Sequence, residues 1–181
     1  MSLIVTISGS PAADSRTARL TDWVGAVLAA QDFQVESINV RDLPPEDLMH
    51  GRLDSPALRK PLGLIEQARG VVVATPVYKA SYTGVLKSFL DLLPQFGLSG
   101  KVVLPLTTGG TLAHVLAIDY ALRPVLGTLG ASHVVSGLFI LDKLIENHAD
   151  GSIKLDPEIE ARLRGVISEF ALSFRRHQST V

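Results

Sequence analysis

The sequence predicts an α/β protein in which one parallel sheet carries helices on both faces. Two observations make that prediction. Short β-branched runs alternate five times with longer segments of helical periodicity, as right-handed βαβ crossovers require. The run Gly70-Val71-Val72-Val73-Ala74-Thr75 is apolar without interruption, the pattern of a central strand covered on both sides. A length of 181 residues suits one domain, 1–181, with a full core.

Leu3 to Ile7 reads as the first strand, and a helix with Leu20, Trp23, Val24 and Val27 on one face runs from about Ser15 to Ala30. Phe33, Val35 and Ile38 alternate with polar residues, as in a half-buried edge strand. Arg41 to Asp54 reads as a long polar connection around Pro44-Pro45. Ser55-Pro56 pairs an N-cap with a proline at the first helical position, opening a helix to about Ala68. After the third strand, Ser81 to Leu93 is helical with Leu86, Phe89, Leu90 and Leu93 inward. Lys101 to Leu106 is a fourth strand, interrupted by Pro105 near its end.

The next helix, about Thr111 to Leu129, is apolar on more than one face and carries Pro124 internally. Val134 to Ile140 gives a fifth strand. Leu141 to Leu155 is irregular, with an Asp150-Gly151 turn suited to a small hairpin. Asp156-Pro157-Glu158 starts a terminal helix with Ile159, Leu163, Val166, Phe170 and Phe174 on one stripe and a basic end at Arg175, Arg176 and His177. Five strand–helix units match the flavodoxin-like three-layer sandwich, a five-stranded sheet of order 2-1-3-4-5 with its crevice between strands one and three.

Composition narrows the function classes. Apolar residues make up 46% and charged ones 19%, which excludes a disordered or fibrous chain. A net charge of −1 offers neither a nucleic-acid groove nor a membrane-surface patch. The absence of cysteine removes disulfides, thiolate metal sites and cysteine nucleophiles together. The first strand begins at residue 3, leaving no room for a signal peptide, and no apolar run reaches membrane-spanning length, so a cytoplasmic location is expected.

Ligands on such a sheet sit outside the carboxyl ends of the strands, where three loops stand out. The first, Ile7 to Thr17, is a strand–turn–helix that adds the hydroxyls of Ser10, Ser15 and Thr17 and the Arg16 guanidinium to the amides of a helix start, donors suited to a phosphate. Its plainer reading is a βα loop capped by Ser15. The second, Thr75 to Gly84, is stiffened by Pro76 and offers Tyr78 and the amides of Val77 to Ser81 to a planar ligand; alternatively its tyrosines cover the core. Gly84 reads as a close-approach position for its helix, and Lys87 with Asp91 as an exposed i,i+4 pair. The third is Thr107-Thr108-Gly109-Gly110-Thr111, with His114 beyond it as a cap or surface residue. No residue presents itself as a catalytic acid, base or metal ligand.

The spacing from Ser10 to Arg16-Thr17 is similar to the phosphate cradle of low-molecular-weight tyrosine phosphatases, which carry a cysteine at the Ser10 position. With that nucleophile missing, the loop should hold a phosphorylated ligand intact. The sequence resembles the NAD(P)H-dependent FMN reductases, and most closely the branch that supplies reduced flavin to alkanesulfonate monooxygenases. The resemblance lies in Gly9-Ser10-Pro11 with Ser15-Arg16-Thr17, in Thr75 to Ser81, and in Asp91-Leu92-Leu93-Pro94. It continues through Lys101 to Pro105, Thr108-Gly109-Gly110, His114, and Ala117 to Leu126. It implies that Ser10, Ser15, Arg16 and Thr17 hold the FMN phosphate, that Pro76, Val77, Tyr78 and Ser81 line the isoalloxazine, and that Thr108, Gly109 and Gly110 approach its pyrimidine edge. It further implies NADPH or NADH as hydride donor, FMN that leaves when reduced, and a flavin-dependent monooxygenase as partner.

In the fourth helix the apolar stripe of Leu112, Val115 and Leu116 slips at Asp119 and resumes at Leu122. One reading is a π-bulge near Tyr120, which the resembling branch carries at a subunit interface. The other is an unbroken helix on which Asp119 pairs with Arg123 and Pro124 causes the irregularity. Surplus apolar surface on this helix favours a homodimer or homotetramer. Two further functions remain compatible with the residues: an FMN-retaining quinone or azo reductase, and a flavodoxin-type electron carrier, which the near-neutral charge disfavours.

Overall fold

The computed structural model describes residues 2–178. Five strands carry the frame: β1 Leu3–Ser8, β2 Gln34–Asn39, β3 Gly70–Pro76, β4 Val102–Gly109, and a fifth position shared by β5 His133–Val134 and β6 Leu138–Leu141. Their order is β2-β1-β3-β4-β5, with β6 also on β4, and every pairing in this sheet is parallel. The flavodoxin-like arrangement therefore stands as expected. Strand alternation sorts the side chains into two cores. Ile4, Val72, Leu104 and Leu106 pack under α1 Arg16–Ala29 and α6 Pro157–Gln178, where Leu20, Val24, Leu163, Ile167 and Phe170 meet them. Val5, Ile7, Val71, Val73 and Val103 face α3 Pro56–Gln67, α4 Gly84–Leu90 and α5 Arg123–Thr128 through Leu58, Ile65, Leu86, Phe89 and Leu126. In α6 the stripe turns on Ile167 more than on the half-buried Val166. The side chains of Arg175, Arg176 and His177 lie outside the described residues.

Five expected elements need correction. The polar connection after β2 contains a helix, α2 Pro45–His50, opened by Pro45 with Glu46 and Asp47 in its first turn and ended by Gly51 at φ 61°. Six residues are too few to display a helical period, so only its end signals were visible. Pro105 does not interrupt β4, which runs on to Gly109. Val102 N bonds toward β3 and Val103 O toward β5, so the missing N–H of Pro105 faces the fifth position. It is the fifth strand that breaks there. Gly137, at φ 77°, turns the chain where a Cβ would lie 2.5 Å from Pro105 O.

The helix after β3 starts at Gly84 instead of Ser81, because Tyr78 to Ser81 form a tight turn and Thr83 is the N-cap. Gly84 is not a close-approach position, since a Cβ there would meet nothing within 4 Å. That role belongs to Gly9, where a Cβ would lie 2.5 Å from Leu86 Cβ and push α4 off the sheet.

The long helix expected after β4 is three short pieces: a 3₁₀ turn Leu112–His114, a π-helical segment Ile118–Leu122, and α5. The π-bulge reading of the slip holds and the unbroken helix does not, although its expected pair is present, Asp119 Oδ1 lying 3.1 Å from Arg123 Nε. The Arg123 guanidinium is occupied as well by the carbonyls of Val134, Val135 and Ser136, tying this helix to the broken fifth strand. The expected small hairpin forms from β7 Ile145–Asn147 and β8 Ile153–Leu155, anchored in the core by Ile145 and Leu155.

Candidate functional site

The carboxyl ends of β1, β3 and β4 meet at one edge of the sheet, at the switch in strand order between β1 and β3. The loops leaving them are fastened to one another in pairs. Thr17 Oγ1 lies 2.8 Å from Thr108 Oγ1, joining the start of α1 to the end of β4 through two buried hydroxyls. Val77 N donates to Thr108 O at 2.8 Å, joining the second loop to β4. Thr83 Oγ1 donates to Gly9 O at 2.5 Å while accepting from Leu86 N, so the cap of α4 also grips the first loop.

In the first loop, Ser10 is buried and its Oγ accepts from Ala12 N at 3.4 Å. Ser15 is the N-cap of α1, accepting from Ala18 N at 3.1 Å. Capping uses only the oxygen lone pairs, so both hydroxyls keep a proton to donate. The exposed Arg16 donates through Nε to Ile145 O at 3.1 Å, which leaves its two Nη groups for a ligand. These donors, with the open amides of the first turn of α1, suit a phosphate dianion. Thr17 differs from the other three. Its hydroxyl shares a buried hydrogen bond with Thr108 in which either oxygen can donate, so it also ties the loop to β4.

In the second loop, Pro76 is buried as the last residue of β3, opposite Thr108. Tyr78 and Ser81 exchange backbone bonds of 2.8 and 3.1 Å across Lys79 and Ala80, at φ 49° and 66°. This is a type I′ turn built without glycine, a strain of the kind that collects at ligand sites. The Tyr78 side chain is half exposed, whereas Tyr82 packs on the core, so the core-covering alternative holds for Tyr82 and not for Tyr78. Tyr120 Oη donates to Ala80 O at 2.5 Å, placing the π-helical segment against the turn.

In the third, Thr107, Thr108 and Gly109 belong to β4 itself, and only Gly110 and Thr111 form exposed loop. A Cβ on Gly109 would press on the Phe139 ring at 3.1 Å, while one on Gly110 would find its nearest neighbour, Asp142 Oδ2, at 4.0 Å. Gly110 thus offers open backbone beside the turn. His114 ends the short turn Leu112–His114 and is half-buried. Lys87 Nζ and Asp91 Oδ1 form the expected exposed pair at 2.6 Å, and that hydrogen bond raises the Lys87 pKa. Lys101 stands at the opposite end of the sheet, where it donates to Glu66 O and Ala68 O and closes α3; burial lowers its pKa. Among the described residues no group of three or more His, Cys, Asp or Glu could hold a metal ion.

Sequence reasoning missed Thr83, and it missed Asp14, Arg19 and Asn147, which surround the first loop with bonds to the β7–β8 hairpin. Thr83 was recoverable from its place before an apolar helical run. The others join segments 129 and 133 residues apart in their hydrogen bonds, or look like a local i,i+5 pair, and no pattern in the chain announces them.

The fold defines a flavodoxin-like protein, and its three joined loops gather donors suited to a phosphate at one edge of the sheet. The chain belongs to the NADPH-dependent FMN reductase family, whose description matches residues 2–145. It is 42% identical over 178 residues to the FMN reductase (NADPH) of Escherichia coli K12, spanning 98% of this chain and 93% of that one. It is likewise 42% identical to the FMN reductase (NADPH) of Pseudomonas putida KT2440, over 99% and 91% of the two chains. Among solved structures it is similar to an NADH:FMN oxidoreductase in apo form, with 45% identity and a TM-score of 0.87 over 96% of this chain and 90% of that one. FMN fits the residues present: the hydroxyl protons, the Arg16 fork and the helix-start amides answer the phosphate, and the exposed Tyr78 and open Gly110 backbone answer a flat ring.

Proposed function

We propose that this chain, an NAD(P)H-dependent FMN reductase by family, receives hydride from reduced nicotinamide on FMN held at the joined loops and then releases reduced FMN to a flavin-dependent monooxygenase of the alkanesulfonate type. The observation that carries the reading is the pairwise fastening of three loops around a donor-rich first loop. Ser10, Ser15 and Arg16 would grip the phosphate, with Thr17 behind them. Val77, Tyr78 and Ser81 would border the ring, Pro76 would set the exit of β3 below it, and Thr108, Gly109 and Gly110 would lie at its pyrimidine edge. Bound FMN supplies the hydride-accepting chemistry at its N5. The chain orients that ring, keeps its exposed face open to nicotinamide, and can offer the Gly110 N–H to negative charge at the pyrimidine.

Release of the flavin agrees with a site built at the surface, where Arg16, Tyr78 and Gly110 are all exposed. A homodimer or homotetramer through the segment around Tyr120 completes the reading, since Leu112, Val115, Leu116 and Tyr120 leave an apolar surface there. No helix among the described residues is long and apolar enough to cross a membrane, which agrees with a cytoplasmic site of action.

The test is steady-state oxidation of NADPH and of NADH by flavin-free protein, with FMN varied. Oxidation that depends on added FMN and saturates with it supports a released flavin. A rate independent of added FMN contradicts that picture and points to an FMN-retaining reductase.

A further inference from the structure

The first loop contains a carboxylate, Asp14, among donors that suit a dianion. An unpartnered charge there would repel a phosphate, so its surroundings decide whether the cradle works. Asp14 Oδ1 lies 2.7 Å from Arg19 Nη2 and accepts from Asn147 Nδ2 at 3.2 Å. The same Arg19 guanidinium donates through Nη1 to His148 O at 2.5 Å, and Arg16 donates through Nε to Ile145 O. Asn147 and Ile145 lie on β7 and His148 just beyond it, so one short hairpin meets the loop and the first turn of α1 at three side-chain bonds. The hairpin is itself firmly placed. Ile145 and Leu155 are buried in the core beneath α1, and its turn is closed by bonds from Ser152 N and Oγ to Asp150 Oδ1.

We infer that the β7–β8 hairpin is part of the phosphate site: with Arg19 and Asn147 it draws the Asp14 carboxylate away from the ligand, and with Ile145 O it fixes Arg16 through Nε so that the Nη fork stays free. Asp14, Arg19 and Asn147 are positioning residues, touching no ligand themselves. The inference rests on the phosphate assignment of the first loop made above. It explains why two arginines three residues apart on α1 both turn toward the hairpin, and why an acidic residue is tolerated in an anion-binding loop.

A charge-rescue experiment on flavin-free protein tests it, reading FMN affinity by quenching of flavin fluorescence and folding by thermal denaturation. Arg19→Ala should weaken FMN binding about threefold to tenfold, the order expected for one partly solvated charge near a dianion. Asn147→Ala should weaken it in the same direction. Asp14→Asn combined with Arg19→Ala should restore affinity to within about twofold of the starting protein, because removing the acid removes the need to neutralise it. Failure of the double variant to recover, with its fold intact, would show that Arg19 matters only for structure and would overturn the inference. Unchanged affinity in both Arg19→Ala and Asn147→Ala would also overturn it. Arg16→Ala separates the two levels. A loss there beside unchanged Arg19→Ala removes only the hairpin's role, whereas no loss in Arg16→Ala removes the phosphate assignment and the hairpin's role together.

Discussion

Arg16 is the residue on which the phosphate assignment turns, since it brings the only full positive charge of the first loop with its Nη groups uncommitted. Arg16→Ala should weaken FMN binding at least about tenfold, as loss of a charge-assisted contact does. Its melting temperature should fall little, because the single bond to Ile145 O is backed by the core anchors of the hairpin. The Thr17–Thr108 pair behaves differently, being buried and mutual. Thr17→Val strands the Thr108 hydroxyl and should cost about 1–3 kcal/mol, whereas the double change to Val at both positions should recover much of that loss. Denaturant unfolding of the three variants checks this. At this scale residue type alone shows what a side chain can offer, as with the donors of Ser10, Ser15 and Arg16. It is silent on partners: nothing in the chain says that the Thr17 hydroxyl meets that of Thr108, or that Asp14 has two partners.

At the scale of elements, the strands and the two layers of helices were legible because buried faces impose a period on the residues that form them. The failures share a physical cause. Local signals such as Pro105 and Gly84 show that the chain is constrained without saying on which side. Pro105 sits comfortably in β4 because its missing N–H faces the break in the fifth strand, and Gly84 has room where Gly9 does not. Gly9→Ala should therefore destabilise by about 1–3 kcal/mol through the clash with Leu86. Gly84→Ala should be neutral or raise stability by about 0.4–1 kcal/mol, because it restricts the unfolded chain alone. Lys101 gives a pH signature for the join between α3 and β4. Burial lowers its pKa below 10.5 in the folded protein, so just under that value the unfolded chain binds more protons. Stability should rise with pH through this window relative to Lys101→Met, as followed by denaturant midpoints. An identical pH slope in the two proteins would remove the assignment.

For the molecule as a whole, the sheet edge, the joined loops and the exposed segment beyond β4 form one continuous region. Tyr120 reaches from the π-helical segment to the carbonyl of Ala80, so the surface proposed for self-association touches the turn proposed to border the flavin. Leu112 and Leu116 remain 63% and 60% exposed in the single chain, more than isolated surface leucines would suggest when Val115 and Tyr120 lie among them. Leu116→Glu should shift the protein toward monomer in light scattering while leaving its thermal unfolding close to the starting protein's. Unchanged mass in that variant would place the contact elsewhere. The central claim, that the joined loops hold FMN for hydride transfer from nicotinamide, meets its most direct test in anaerobic rapid mixing of FMN-loaded protein with NADPH. The account predicts that the visible absorbance of oxidised flavin bleaches as NADPH is consumed, and that Arg16→Ala needs more FMN to show it. Flavin that stays oxidised after mixing with either nicotinamide would contradict it.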